Sequence, residues 1–143
     1  MSVAAILKEK GSEVATADAE MSLLDVAQLL TDLRIGATVI AGEDGQILGI
    51  ISERDLVKAV VSHGPSALDQ PVKDHMTRKV VTCSRSDTVG ELMASMTVGK
   101  FRHLPVVEDG KLVGIVSIGD IVKQRIAEAE MEADAMRAYI ATG

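Results

Sequence analysis

The sequence predicts an α/β fold with α+β character, built from two tandem β-α-β-β-α repeats. GIISERD at residues 49–55 returns as GIVSIGD at residues 114–120, an offset of 65 residues. In each copy this stretch closes a pair of short apolar runs joined by Asp-Gly, the dipeptide that favours a hairpin turn. A segment with the apolar spacing of a helix precedes each pair. Self-similarity over most of a chain indicates a repeat architecture.

Each repeat is expected to begin with a short strand, at residues 14–15 and 80–81. An amphipathic helix follows from residue 23 in the first copy and from residue 89 in the second, because apolar residues recur there every three or four positions. Both helices are preceded by residues with the spacing of a capping box, Ser22 with Asp25 and Thr88 with Glu91.

A hairpin and a second helix complete each repeat. The predicted hairpin strands are residues 37–41 and 47–51 in the first copy, and 104–107 and 112–116 in the second. Ser52 and Ser117 then begin the closing helices. We place the first repeat, with an N-terminal segment, in residues 1–69, and the second repeat, with a C-terminal helix, in residues 70–143. Neither unit can cover its own sheet, so the two should pack together as a pseudo-two-fold pair.

Composition excludes several kinds of partner. The 143 residues carry a net charge of −6 and no basic run, which disfavours nucleic acid. No apolar stretch approaches the length of a membrane span, so we expect no membrane insertion. The single cysteine, Cys83, fits a reducing cytoplasm and is expected to be an inert packed residue. Aromatic residues make up only 1% of the chain, so a flat ligand would rest on aliphatic side chains.

The repeated Ser-x-x-Asp at the two closing helices has two interpretations. It can be a capping box alone, which stabilises a helix start by about 1 kcal/mol without any ligand. However, Arg54 lies in a first helical turn, where a cation is unfavourable, and Gly119 takes the same place in the second copy. An arginine there suits an anion at the helix N-terminus, and a glycine suits close approach of a ligand.

Asp55 and Asp120 could each accept two hydrogen bonds from a ribose diol, so the helix starts are candidate sites for a phosphate and a ribose. Arg102 and His103 form a small cationic cluster before the second hairpin, where the first copy has Gly36 and Ala37. Taken alone, these two residues could equally be a solvated surface charge and a packed strand-edge side chain. The two sites should not be equivalent.

The chain resembles a tandem pair of CBS domains, the cystathionine β-synthase motif, also called a Bateman module. The resemblance covers nearly the whole chain and rests on residues 49–55, 114–120, 102–107 and 72–77. It implies a stand-alone, non-catalytic regulatory module that binds adenosine-containing ligands: AMP above all, ADP, ATP, NAD or NADH, or S-adenosylmethionine. Such a module would sense cellular energy state and act on a protein target that the sequence does not identify.

The resemblance also implies roles for individual residues. Asp55 and Asp120 would hold ribose hydroxyls, with Ser52 and Ser117 beside ribose and phosphate. The remaining implied positions are Thr16 and Thr82 near the base or ribose, and Arg102 and His103 at the phosphates. Arg54 would carry the phosphate role in the first copy, which has no counterpart of Arg102.

Free-standing pairs of this family are commonly homodimers, and the last helix carries a matching pattern. Its apolar residues recur at alternating spacings of four and three: Val122, Ile126, Ala129, Ala133, Met136 and Ile140. This seam could pair with a second copy, or fold back on the chain's own helix near residues 4–7. A ligand-free structural dimerisation module therefore remains the alternative function.

Overall fold

The computed structural model describes residues 1–142. The first half contains helix α1 (Val3–Lys10), strand β1 (Thr16–Asp18), helix α2 (Leu23–Leu33), strands β2 (Ala37–Ala41) and β3 (Ile47–Ser52), and helix α3 (Glu53–His63). Two short 3-10 turns, Pro65–Asp69 and Val72–Asp74, lead into the second half. There the chain forms helix α4 (Val89–Gly99), strands β4 (His103–Glu108) and β5 (Lys111–Ser117), and helix α5 (Ile118–Thr142).

The helix starts and the hairpins are confirmed. Ser22 and Thr88 cap α2 and α4, each hydroxyl accepting a bond from the backbone N–H three residues on. Both hairpins are antiparallel, with Ala37 opposite Ser52 in the first and His103 opposite Ser117 in the second. The two halves therefore have one internal register.

The first strand of each repeat differs from the prediction. In the first half it lies at Thr16–Asp18 instead of residues 14–15, and pairs in parallel with β2. In the second half residues 80–81 form no strand, and a single parallel bridge joins Cys83 to Val106. Extending that ladder backward would need a donor from Pro105, which has no N–H. The second sheet consequently has two strands and the first has three.

Each of the two buried cores contains residues from the segment that leads into the other repeat. Val3, Ile6 and Leu7 of α1 precede the first repeat but are buried with residues 83–121 of the second. Ala67, Val72 and Met76 lead toward helix α4, and Val72 and Met76 fall in the range predicted for the second repeat, but all three are buried in the core of the first. Each fully buried aliphatic side chain contributes about 1.5–3 kcal/mol, so this exchange ties the repeats together.

Two equivalent glycines make this exchange possible. A Cβ on Gly114 of β5 would lie 2.6 Å from the Leu7 side chain, so α1 packs closely on this strand at a glycine. A Cβ on Gly49 of β3 would lie 2.6 Å from the Met76 sulfur and 2.9 Å from the Thr77 carbonyl oxygen. The leading glycine of each heptapeptide therefore serves the packing between repeats.

The C-terminal part of α5 extends away from the core. Val122, Ile126, Met136 and Ile140 are all at least half exposed. The seam thus does not fold back on α1, whose apolar face is already buried in the second repeat. Within residues 1–142, no helix is both long and apolar enough to cross a membrane.

Candidate functional site

A cleft of about 700 Å³ lies between the two repeats, at the N-termini of α3 and α5. Its walls include Ser52, Arg54 and Asp55 from the first repeat and Arg102 and Ser117 from the second. This volume is within the ordinary range of small-molecule sites. The hairpins place the two helix starts here because Ser52 and Ser117 end β3 and β5, opposite the residues that begin β2 and β4.

The start of α3 is a complete capping box. The Asp55 N–H donates to Ser52 Oγ over 3.3 Å, and the Ser52 N–H donates to Asp55 Oδ2 over 3.0 Å. Ser52 Oγ also lies 3.1 Å from Asp55 Oδ2. Both contacts of the Asp55 carboxylate use Oδ2, so Oδ1 can accept from a ligand. The capping interpretation is therefore right, and the box still leaves part of the carboxylate for binding.

The start of α5 repeats this geometry. The Asp120 N–H donates to Ser117 Oγ over 3.2 Å, and the Ser117 N–H donates to Asp120 Oδ2 over 2.9 Å. Here, however, the Lys10 ammonium also donates to Asp120 Oδ2, over 2.7 Å. Burial opposes ionisation of Asp120, but Lys10 and Ser117 outweigh it and lower the pKa of this carboxyl group.

The cleft is cationic although the chain is acidic. Four Lys or Arg side chains line it, Arg54, Lys79, Lys100 and Arg102, against the two acids Glu53 and Asp55. Two helix N-termini add their partial positive charge. An anion would be attracted here, which fits the expectation of a phosphate.

His103 lies where the two repeats meet. A Cβ on Gly36 would come within 3.3 Å of the His103 ring, so the glycine makes room for it. Burial lowers the pKa of His103; Glu53 and Asp120 raise it in part, and Lys10 and Arg102 lower it. The imidazole is therefore neutral near pH 7 and can accept or donate one hydrogen bond.

Six of the nine residues expected at the site line this cleft. They are Ser52, Arg54, Asp55, Arg102, His103 and Ser117. Thr16 and Thr82 are exposed and lie outside the lining of the cleft. Asp120 also lies outside that lining and is bound by Lys10.

Sequence reasoning missed several residues of the cleft. Thr77, Lys79, Val80 and Val81 come from the segment between the repeats, and Lys100 ends α4. Lys100 has φ 56° in the left-handed region, as Arg34 does at the end of α2. The only local signal was the excess of basic residues at 78–79 and 100–102, which reads as solvated surface until the fold brings the two stretches together.

Cys83 is not part of this site. It is buried in the second core, and burial, with a smaller effect of Asp87, raises the pKa of its thiol to about 12. The thiol is protonated at neutral pH and lacks nucleophilic character, as expected of an inert packed cysteine.

Comparison with known proteins matches the CBS domain family twice, at residues 6–62 and 72–126. A mitochondrial CBS domain-containing protein of Arabidopsis thaliana, CBSX3, is 34% identical over 126 residues. That alignment covers 85% of this chain and 61% of the relative, so the chain spans less than two thirds of that protein.

Solved structures agree with the fold. The CBS-domain containing protein ATU1752 from Agrobacterium tumefaciens is 47% identical, with a TM-score of 0.85 over 87% of this chain and 92% of its own. The CBS domain protein PAE2072 from Pyrobaculum aerophilum, complexed with AMP, is 26% identical, with a TM-score of 0.75 over 84% of this chain and 89% of its own. The predicted α/β fold of two repeats is confirmed, and the chain belongs to the CBS domain family as a tandem pair of CBS domains.

Proposed function

We propose that this chain is a non-catalytic regulatory module that binds an adenosine nucleotide, AMP-like before others, in the cleft between its repeats. The observation that carries the proposal is the cleft itself. The cleft brings together the Asp55 carboxylate, which caps α3, four cationic side chains and the N-termini of two helices. The AMP complex of the relative from Pyrobaculum aerophilum supports the ligand class.

The cleft offers a group for each part of such a ligand. Asp55 Oδ1 can accept from the ribose hydroxyls, since Oδ2 is held by the cap. Arg54 from the first repeat and Arg102 from the second both line the cleft and could bind a phosphate. The base would rest on aliphatic side chains, of which the walls provide Ile50, Val57, Val80, Val81 and Ile118.

The second part of the proposal is a homodimer through the outer faces of α3 and α5. Val57 and Val61 on α3 are 62% and 80% exposed, and the residues 65 positions later, Val122 and Ile126 on α5, are 50% and 55% exposed. With the exposed seam further along α5, these are the apolar side chains that a homodimer would bury, and Val57 also borders the cleft. A second copy of the chain would cover these side chains. A protein target, not identified by the sequence, would bind the dimer according to its nucleotide occupancy.

The same face also favours the alternative, a structural dimerisation module without ligand. The two functions differ in whether adenine nucleotides stabilise the fold. A chain that dimerises through α5 but responds to none of them is structural.

A thermal-unfolding panel with AMP, ADP, ATP, NAD, NADH and S-adenosylmethionine tests the ligand. A ligand at 100 times its Kd stabilises by about 2.7 kcal/mol, which should raise the Tm by roughly 5 °C or more. Asp55→Ala should reduce this rise, whereas Asp44→Ala, at the tip of the first hairpin, should not. Absence of any shift at millimolar ligand would leave the structural module as the function.

Sedimentation velocity tests the dimer independently. The wild-type chain should sediment as a dimer and Ile126→Glu as a monomer, because a charge in an apolar interface is left unpaired. Glu132→Lys, a charge change at an exposed position of the same helix that lies off the seam, is the matched control. A monomeric wild type at 100 µM or so would contradict the homodimer.

A further inference from the structure

Lys10, the last residue of α1, holds the second repeat's carboxylate. Its ammonium donates to Asp120 Oδ2 over 2.7 Å and to the Ile115 carbonyl oxygen over 2.9 Å. The side chains of Lys10 and Asp120 are 34% and 22% exposed, so this ion pair is partly withdrawn from solvent. A charge-assisted bond of this length is among the stronger polar contacts of a protein.

The first repeat satisfies the equivalent groups in another way. The carbonyl of Ile50, the counterpart of Ile115, accepts the backbone N–H of Thr77 over 2.8 Å. Asp55, the counterpart of Asp120, forms no ion pair within residues 1–142 and lies in the cleft wall. Within residues 1–142 both carboxylates are bonded through Oδ2, but Asp55 lies in the cleft wall without an ion pair, whereas Asp120 is paired with a cation of its own chain.

Lys10 bonds Asp120 Oδ2, the oxygen that the cap also uses, so a ribose would meet this carboxylate at Oδ1, beside the ammonium and on a charge that the cation already balances. The ion pair also favours the ionised acid, which is consistent with the lowered pKa of Asp120. The sugar of a nucleotide entering the second repeat would therefore bind a weaker acceptor than Asp55, or would have to displace Lys10 from Asp120. The first repeat has no such cost, so the two repeats would fill in order.

We propose that Lys10 is a specificity-determining residue that weakens the second ribose position, so that each chain binds one nucleotide tightly, at Asp55, and a second only weakly. This inference rests on the proposed nucleotide function.

Isothermal titration of the full chain with AMP tests this directly. The wild type should bind about one AMP per chain tightly. Lys10→Met should add a second site whose affinity is raised about tenfold, the change expected on removing one charge-assisted bond. Lys10→Arg keeps the cation and should behave as the wild type does. Lys8→Met, an exposed lysine on the same helix, is the matched control.

Other outcomes overturn the inference in distinguishable ways. Unchanged stoichiometry and affinity in Lys10→Met, with normal binding at the first site, would make Lys10 a structural pin of α1 only. Weaker binding in Lys10→Met would make the ammonium a ligand contact instead of a competitor. Two tight sites in the wild type would contradict it outright. Absence of AMP binding in every variant would overturn the proposed function together with this inference.

Discussion

Ser52 to Asp55 and Ser117 to Asp120 begin their helices with the same pair of reciprocal hydrogen bonds, yet their surroundings differ. In the first repeat an arginine follows the cap, and the carboxylate belongs to the cleft wall. In the second repeat a glycine stands in place of that arginine, and Lys10 reaches over from α1 to bind the carboxylate. The cationic residues Arg102 and His103 stand before the second hairpin, where the first has Gly36 and Ala37.

The difference shows that the repeated heptapeptide has a structural role in both repeats, whatever it binds. Its glycine admits a packed segment, its serine and aspartate cap a helix, and both copies need these features to fold. Binding capacity depends on groups that reach each cap from elsewhere in the chain. The two helix starts therefore have the same backbone geometry and differ in the cations around them.

The largest expected effect concerns the two heptapeptide glycines. Gly49→Ala should lower the free energy of unfolding by about 1–3 kcal/mol, because the new Cβ would overlap both Met76 and a backbone oxygen. Gly114→Ala should cost less, since only the end of the Leu7 side chain must move. Urea unfolding measures both. Gly90→Ala, with nothing nearer than 4.0 Å, is the control and should not destabilise. Equal stability of all three variants would contradict the packing argument.

The next effect separates the two carboxylates by nucleotide affinity. Asp55→Ala should weaken the tight binding of AMP about 10- to 100-fold, the loss typical of hydrogen bonds to a charged group. Asp120→Ala should leave that affinity within about twofold, because Lys10 already occupies the second carboxylate. Both variants lose one capping box, so each controls for the stability effect in the other. Calorimetry showing equal losses would mean that the two repeats bind alike.

A smaller effect concerns the cations of the cleft. Arg102→Ala should weaken AMP about tenfold and leave adenosine nearly unchanged, since adenosine has no phosphate for the guanidinium to bind. Arg85→Ala, an exposed arginine outside the cleft, should change neither. Competition titrations with the two ligands give the comparison. A loss that is the same for adenosine and AMP would remove the phosphate role from Arg102.

The smallest effect is the pH dependence of His103. Burial lowers its pKa below the ordinary 6.5, so the stability it contributes is fully present above that pH and is lost as the pH falls toward the folded pKa. The lowered pKa of Asp120 acts in the same direction but only below about pH 3.8. His103→Gln should therefore lose less stability than the wild type between pH 7.5 and 5.5, with His63→Gln as control. Parallel stability profiles for His103→Gln and the wild type would refute the assignment.

Much of the fold follows from local chemistry that the sequence displays. The helix starts at Ser22, Ser52, Thr88 and Ser117 and both hairpins lie where the caps, apolar periods and Asp-Gly turns predict. The helix starts depend on hydrogen bonds between residues three apart, and the hairpins depend on short turns. Neither needs a partner from a distant segment. The strand expected at residues 80–81 failed for a nonlocal reason. Its parallel pairing would have needed an N–H from Pro105, 24 residues beyond Val81, and proline has none.

The local sequence is enough to specify two similar units, each with a capped helix start and a carboxylate beside it. Hydrogen bonds between residues a few positions apart set these features. Which cations reach each carboxylate depends on the tertiary structure. It carried α1 across to the second repeat and set Lys10 on Asp120, and it brought Lys79 and Lys100 to the cleft beside Asp55. Contacts between residues more than a hundred positions apart depend on how the cores exchange segments, and no short-range pattern encodes that exchange.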